Sequence, residues 1–268
     1  MSTKMKLGCI GVVVLFAMGV MLTQPPIPQA AACHAFADDA AWWGIVNAQN
    51  VLSNMAFVIA GLIGLMKVGR LPKSAVTSMW RFFFSAVVLV GLGSGYYHWL
   101  PSNNTLVWDR LPMTLCFSAL TACVCAERLG VKFGQRLFVP LVISGVFSVF
   151  YWWLSEQHGF GDLRPYIVVQ YLPMVLIPLM LLLFPKTPRQ DRPYWLLLAS
   201  YIIAKGFELN DGLIFNLTNE VISGHTLKHL AAAAGIMLLP PTISTEVSKD
   251  EEVKTIFPKR FLTKKELL

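Results

Sequence analysis

Charge is scarce in this chain. Charged residues make up 14% of its 268 positions and hydrophobic ones 55%, whereas a soluble domain carries about 25% charged residues. That excludes an ordinary soluble enzyme, and no stretch between the apolar runs is long enough to fold alone. Cysteine is also sparse. Of Cys9, Cys33, Cys116, Cys123 and Cys125, only Cys33 falls in a polar loop, so there is neither a disulfide framework nor a CxxC zinc pattern. Lysine and arginine are missing altogether from four connecting stretches, 24–49, 101–107, 155–162 and 216–224. The net charge of +7 is therefore gathered in the other connections and in the tail. That placement is a topology signal and excludes a nucleic-acid footprint.

What the chain has in quantity is apolar runs of membrane-spanning length, about 20 residues each. Seven core spans fall at roughly 50–67, 81–100, 108–126, 136–154, 165–184, 193–215 and 225–240. The expected fold class is all-α: a polytopic membrane protein built as a seven-transmembrane helix bundle. An additional apolar run at 7–23 follows Lys4 and Lys6 and precedes a proline-rich stretch and Ala30-Ala31-Ala32. It is either a signal peptide or an eighth helix, and the long gap before the alanines favours the helix. The domain division is 1–30 for this segment, 31–241 for the bundle and 242–268 for a charged tail.

Basic and non-basic connections alternate along the chain. The positive-inside rule then places the basic set and the C-terminus in the cytoplasm. The other set faces the periplasm of a bacterial inner membrane, or a lumen.

Ionisable groups are costly within a bilayer, and each one there is a functional candidate. Ser94 and His98 lie near the outer end of the second core span, four residues apart and so on one face. Asp109 begins the third span, and His225 and His229 begin the seventh with the same spacing. The topology, drawn from lysine and arginine alone, delivers all five to one membrane depth. Singly each has an ordinary reading. An HxxxH pair can bind haem, relay protons or bond between helices, His98 can be a packing residue, and Asp109 can cap a helix. Together they suit catalytic zinc, which takes three protein ligands and leaves a position for water. Zinc lowers the pKa of that water to about 7. Asp109 is then placed to move its proton to a leaving group, and Ser94 to hydrogen-bond a developing oxyanion. Such a set hydrolyses an amide or an ester at membrane depth.

These residues resemble the alkaline ceramidase family, within the seven-helix hydrolase group that also includes adiponectin-receptor and progestin-receptor-like proteins. The resemblance rests on Ser94-x-x-x-His98, Asp109 and His225-x-x-x-His229, and on the stretch Asn50 to Phe57. The stretches Tyr96 to Pro101, Trp108 to Met113, Gly161 to Tyr166 and Ser223 to His229 are similar to the bacterial branch. The resemblance implies zinc held by His98, His225 and His229, water activation by Asp109, and carbonyl assistance from Ser94. It implies hydrolysis of the amide bond of a ceramide-like membrane lipid to a sphingoid base and a fatty acid. It also implies a calcium site before the first core helix, where Asp38, Asp39 and Asn47 offer oxygen atoms. Asn47 stands where the family has a glutamate, and the family's tryptophan-and-glutamate pattern is absent.

Lys205, Glu208 and Asp211 follow at i, i+3 and i+6, as an ion-pair ladder would. Asn50, Ser53 and Asn54 are expected to bond between helices. The rival functions are a hydrolase of another N-acyl or ester lipid, and a receptor or transporter with a structural metal.

Overall fold

A computed structural model describes residues 1–239, and the charged tail of 242–268 lies outside the described residues. Among these the secondary structure is helical, without strands. The order is α1 (Thr3–Thr23), a single turn at Ala31–His34, α2 (Ala48–Ser53), α3 (Met55–Gly69), α4 (Ala75–Trp99) and α5 (Asn103–Leu129). It continues with α6 (Val131–Gln157), α7 (Arg164–Leu183), α8 (Pro188–Leu209), α9 (Asp211–Leu217) and α10 (Gly224–Met237). Over the described residues each expected core span is largely helical.

Five helical segments are long and apolar enough to cross a membrane: α1, α2 with α3, α4, α6 and α7. The ones that fall short are instructive. Helix α5 carries Asp109, Arg110, Glu127 and Arg128, and α8 carries Lys205 and Glu208. Helix α10 has 14 residues, and they include His225, Lys228 and His229. Some of the polar residues that lower the hydropathy of these helices build the site, and Glu127 and Arg128 pair with Tyr194 and Asp191 at the other end of the bundle.

Four helices start at least five residues earlier than their apolar runs suggest, among them α8, which follows a capping box of Thr187 and Gln190. Ser74 forms a capping box with Thr77 and starts α4 six residues before position 81. Ser102 accepts from the Thr105 N–H at 3.2 Å and starts α5 at Asn103. Gly130, at φ +115°, ends α5 and lets α6 begin at Val131. Caps extend a helix past its apolar face because they satisfy end N–H groups without burying anything. The sixth expected span is not continuous. It breaks at Asn210, where the Asn210 amide donates to Gly206 O at 2.8 Å, and Asp211 opens the short α9.

Helix α5 runs between α4 and α6, α4 also packs on α3, and α10 packs on α8 and on α2–α3. Gly93 sets the closest approach of α4 to α5: a Cβ there would collide with the backbone carbonyl of Trp108. Gly93→Ala should therefore push the two helices apart at a cost of about 1–3 kcal/mol. The expected result is a lower melting temperature and lower activity, since Ser94 and Asp109 flank the contact. Gly95→Ala is the control, because its added carbon would lie an ordinary 3.8 Å from Val51 O.

The two ends of the bundle differ. At the end with basic connections, Arg128 pairs with Asp191 at 2.7 Å and Tyr194 donates to Glu127 at 2.8 Å. The opposite end is covered by the stretch after α1. Ile27 O accepts from Leu163 N at 2.8 Å, and Gln24 O from Arg164 Nη1 at 2.6 Å. Asp162 in that connection accepts from Arg164 Nε and Nη2. These bonds hold its carboxyl below the usual carboxylate range. The clasp is therefore intact above the ordinary aspartate pKa of about 3.9 and is lost only as pH falls below it.

Candidate metal centre

His98 sits on the last turn of α4, and His225 and His229 on the first turns of α10. Three features fix where α10 starts. Ser223 caps it by accepting from Thr226 N at 3.1 Å. Asp211 Oδ1 accepts from His225 N at 2.7 Å. Gly224 lies so close to Phe207 O that no side chain would fit.

The three rings face one another, with centroids 4.7 to 4.9 Å apart. His98 Nε2 and His225 Nε2 are 3.3 Å apart. Nitrogens bound about 2.0–2.1 Å from a tetrahedral zinc lie roughly 3.3 Å from each other. His229 supplies the third nitrogen. The Ser53 hydroxyl donates to Asn50 O at 3.0 Å, which leaves its oxygen to accept from His229 Nδ1 at 2.8 Å. The proton of His229 is thereby placed on Nδ1, and its Nε2 is buried without a partner. One ligand nitrogen from each ring falls within a sphere where all are 4.8 Å or less apart. Among the described residues no other group of His, Cys, Asp and Glu is gathered this way. Three imidazoles that each bring a ligand nitrogen into one small space, with His229 Nε2 left without a protein partner, fit a metal ion, and zinc first.

Ser53→Ala removes the acceptor that fixes this tautomer. It should weaken zinc binding about 10–100-fold, measured by competition with a chromophoric chelator, while the helical content stays unchanged.

Asp109 and Ser94 face each other across α4 and α5 and line the same cavity as the histidines. Asp109 lies in the second turn of α5, six residues after Asn103. Ser102 does the capping there, so Asp109 is no N-cap. The cavity has a volume of about 370 Å³. From the histidines it runs between largely apolar walls, past Phe83, Met113 and Ile177, to Tyr194 near the other end of the bundle.

Sequence reasoning missed Lys228. Its Nζ lies 2.9 Å from His225 Nε2 and 3.0 Å from Glu208 Oε1. The signal was present, since position i+3 on a helix shares the face of His225. Glu208 also pairs with Lys205, so two rungs of the expected ladder exist. Asp211 is not a third: the break at Asn210 turns it to the N–H groups of Ala37 and His225.

The calcium residues gain no support. Asn47 donates its amide to His98 O at 2.8 Å, which steadies the end of α4. Asp38 is buried and accepts from Ala40 N at 3.0 Å, while Asp39 is exposed. His34 uses both ring nitrogens, on Tyr97 and Asn103. Of the three polar residues expected to bond between helices, Ser53 and Asn50 reach α10, and the Asn54 amide donates within its own stretch to Asn50 O.

A protein-family model, Ceramidase, matches residues 43–204, more than half of the chain. The chain belongs to the ceramidase family. No curated protein and no solved structure matches it. Family membership makes it a ceramidase-like hydrolase of amide bonds, associated with membranes and acting on a lipid. The matched region includes Ser94, His98 and Asp109 but ends before α10. In this ceramidase-family protein, His225 and His229 enter the site through geometry.

Proposed function

We propose that this ceramidase-family protein is a zinc-dependent intramembrane amidase that cleaves ceramide-like lipids to a sphingoid base and a fatty acid. One observation carries the reading: three imidazoles gathered within ligand distance of one another line an apolar cavity together with Asp109 and Ser94. His98, His225 and His229 would hold the metal. When bound, zinc supplies Lewis acidity and makes water ionise near neutral pH. Asp109 takes a proton from the attacking water and returns it to the amide nitrogen as the C–N bond breaks. Ser94 donates to the carbonyl oxygen as negative charge develops there. The apolar walls receive the acyl chain and exclude water from it.

The site would face the periplasm of a bacterial inner membrane, opposite the basic connections, in a bundle crossing the membrane seven times with α1 as an eighth helix. Retention of residues 1–30 is favoured by α1 packing against α7 and by the Gln29 N–H donating to Glu156 at 2.6 Å. An intact-mass measurement of the membrane-extracted protein checks it, and a chain beginning near Cys33 would refute it.

Hydrolysis of a lipid panel tests the function. Purified protein should release fatty acid from N-acyl sphingoid lipids and spare lysolipid esters. Ester cleavage without amide cleavage would overturn the assignment.

A further inference from the structure

Ion pairs take up Arg128, Arg164, Lys205 and Lys228 among the described residues, but Arg110 belongs to none. Its guanidinium carbon lies 4.2 Å from the ring centre of Trp152 and 4.7 Å from that of Tyr166. Both rings are buried in the smaller apolar cluster at the site end of the bundle. Nη2 donates to Gln29 Oε1 at 2.5 Å. The Gln29 N–H and Trp152 Nε1 in turn donate to the same Glu156 oxygen, at 2.6 and 3.2 Å. The guanidinium is thus clamped in place before any ligand arrives. Its Nη1 is buried and has no acceptor, although the residue lines the cavity.

The Arg110 side chain is half-buried and holds one N–H without an acceptor, an imbalance that is costly at membrane depth. The cavity wall repeats the imbalance, with Arg110, Lys205 and Lys228 against Asp109 and Glu208. A head group bearing only hydroxyls leaves that surplus unmatched. A planar, fixed guanidinium with free N–H groups is built for phosphate or carboxylate oxygens. Arg110 and Asp109 line the same cavity at the site end of the bundle, so a head group beside the scissile amide would come within reach of Arg110.

We infer that Arg110 is a head-group anchor and that the amide lipids this protein prefers carry an anionic head, a phosphate or a carboxylate. The inference rests on the amidase reading above. It names the substrate class that reading leaves open, and Arg110 acts in binding and selection, with no part in the chemical step.

The test compares three N-acyl lipids of one chain length on the purified, zinc-loaded protein: ceramide, ceramide phosphate and an N-acyl amino acid. The wild type should show kcat/KM at least about tenfold higher for one or both anionic lipids, the size of one charge-assisted hydrogen bond. Whether one or both gain tells phosphate from carboxylate recognition. Arg110→Gln should erase that advantage by raising KM for the anionic lipids at least about tenfold more than for ceramide. Arg110→Lys should keep part of it. A wild type that prefers ceramide, or an Arg110→Gln protein slowed by the same factor on all three lipids so that the anionic preference persists, would overturn the inference while the amidase reading survives. Should no lipid be cleaved, the amidase reading fails on its own. Thermal stabilisation of the wild type by the same lipids then decides for Arg110, and equal stabilisation by neutral and anionic lipids counts against it.

Discussion

Replacing His229 by alanine is expected to remove bound zinc and cut hydrolysis at least about a thousandfold. Of the three proposed ligands, His229 is the one that the fold prepares most completely. Its Nδ1 is held at 2.8 Å by Ser53 and its Nε2 is buried without any protein partner. Two imidazoles alone do not make a catalytic zinc site, which needs three protein ligands. Elemental analysis of the purified variant should show zinc lost, and the loss should parallel the loss of rate. A His229→Ala protein that keeps zinc and turns over lipid at the wild-type rate would place the metal elsewhere. Partial unfolding is separable, because zinc-free wild type and variant should then melt at similar temperatures.

Asp109→Asn should behave in the opposite way towards the metal. The amide keeps the size and hydrogen-bonding reach of the carboxylate but cannot carry a proton from water to amine. Asp109 neither caps α5 nor belongs to any ion pair among the described residues. Zinc content and melting temperature should therefore stay near wild type. The rate should fall about 10²–10⁴-fold, the usual worth of a general acid–base. Preserved function in this variant would instead favour a receptor or transporter with a structural metal. Single-turnover assays at saturating lipid locate the loss in kcat.

Much of this arrangement was legible in the sequence, for identifiable reasons. Helices longer than a bilayer's width leave a strong hydropathy signal, and their alternating basic connections fix which ends share a side. His98, His225 and His229 could then be brought to one depth without any contact information. What stayed hidden depends on local bonding. Ser74 and Ser102 start helices several residues early because a cap acts through one hydroxyl and adds nothing to hydropathy. The break at Asn210 falls inside an apolar run, so Asp211 reads as a rung of a ladder when it holds the start of α10. Asn47 reads as an oxygen donor for calcium, yet its amide is turned to His98 O. Lys228 was overlooked because a lysine between two histidines of a motif looks like spacing, and only the fold sets it against Glu208 and His225.

The zinc ion proposed between His98, His225 and His229 is needed to break the amide bond. Metal content and fatty-acid release should be followed together as the purified protein is stripped with a chelator and refilled. About one zinc per chain should be lost with activity, and zinc added back should restore both. Undiminished amide hydrolysis by the stripped, zinc-free protein would contradict the claim.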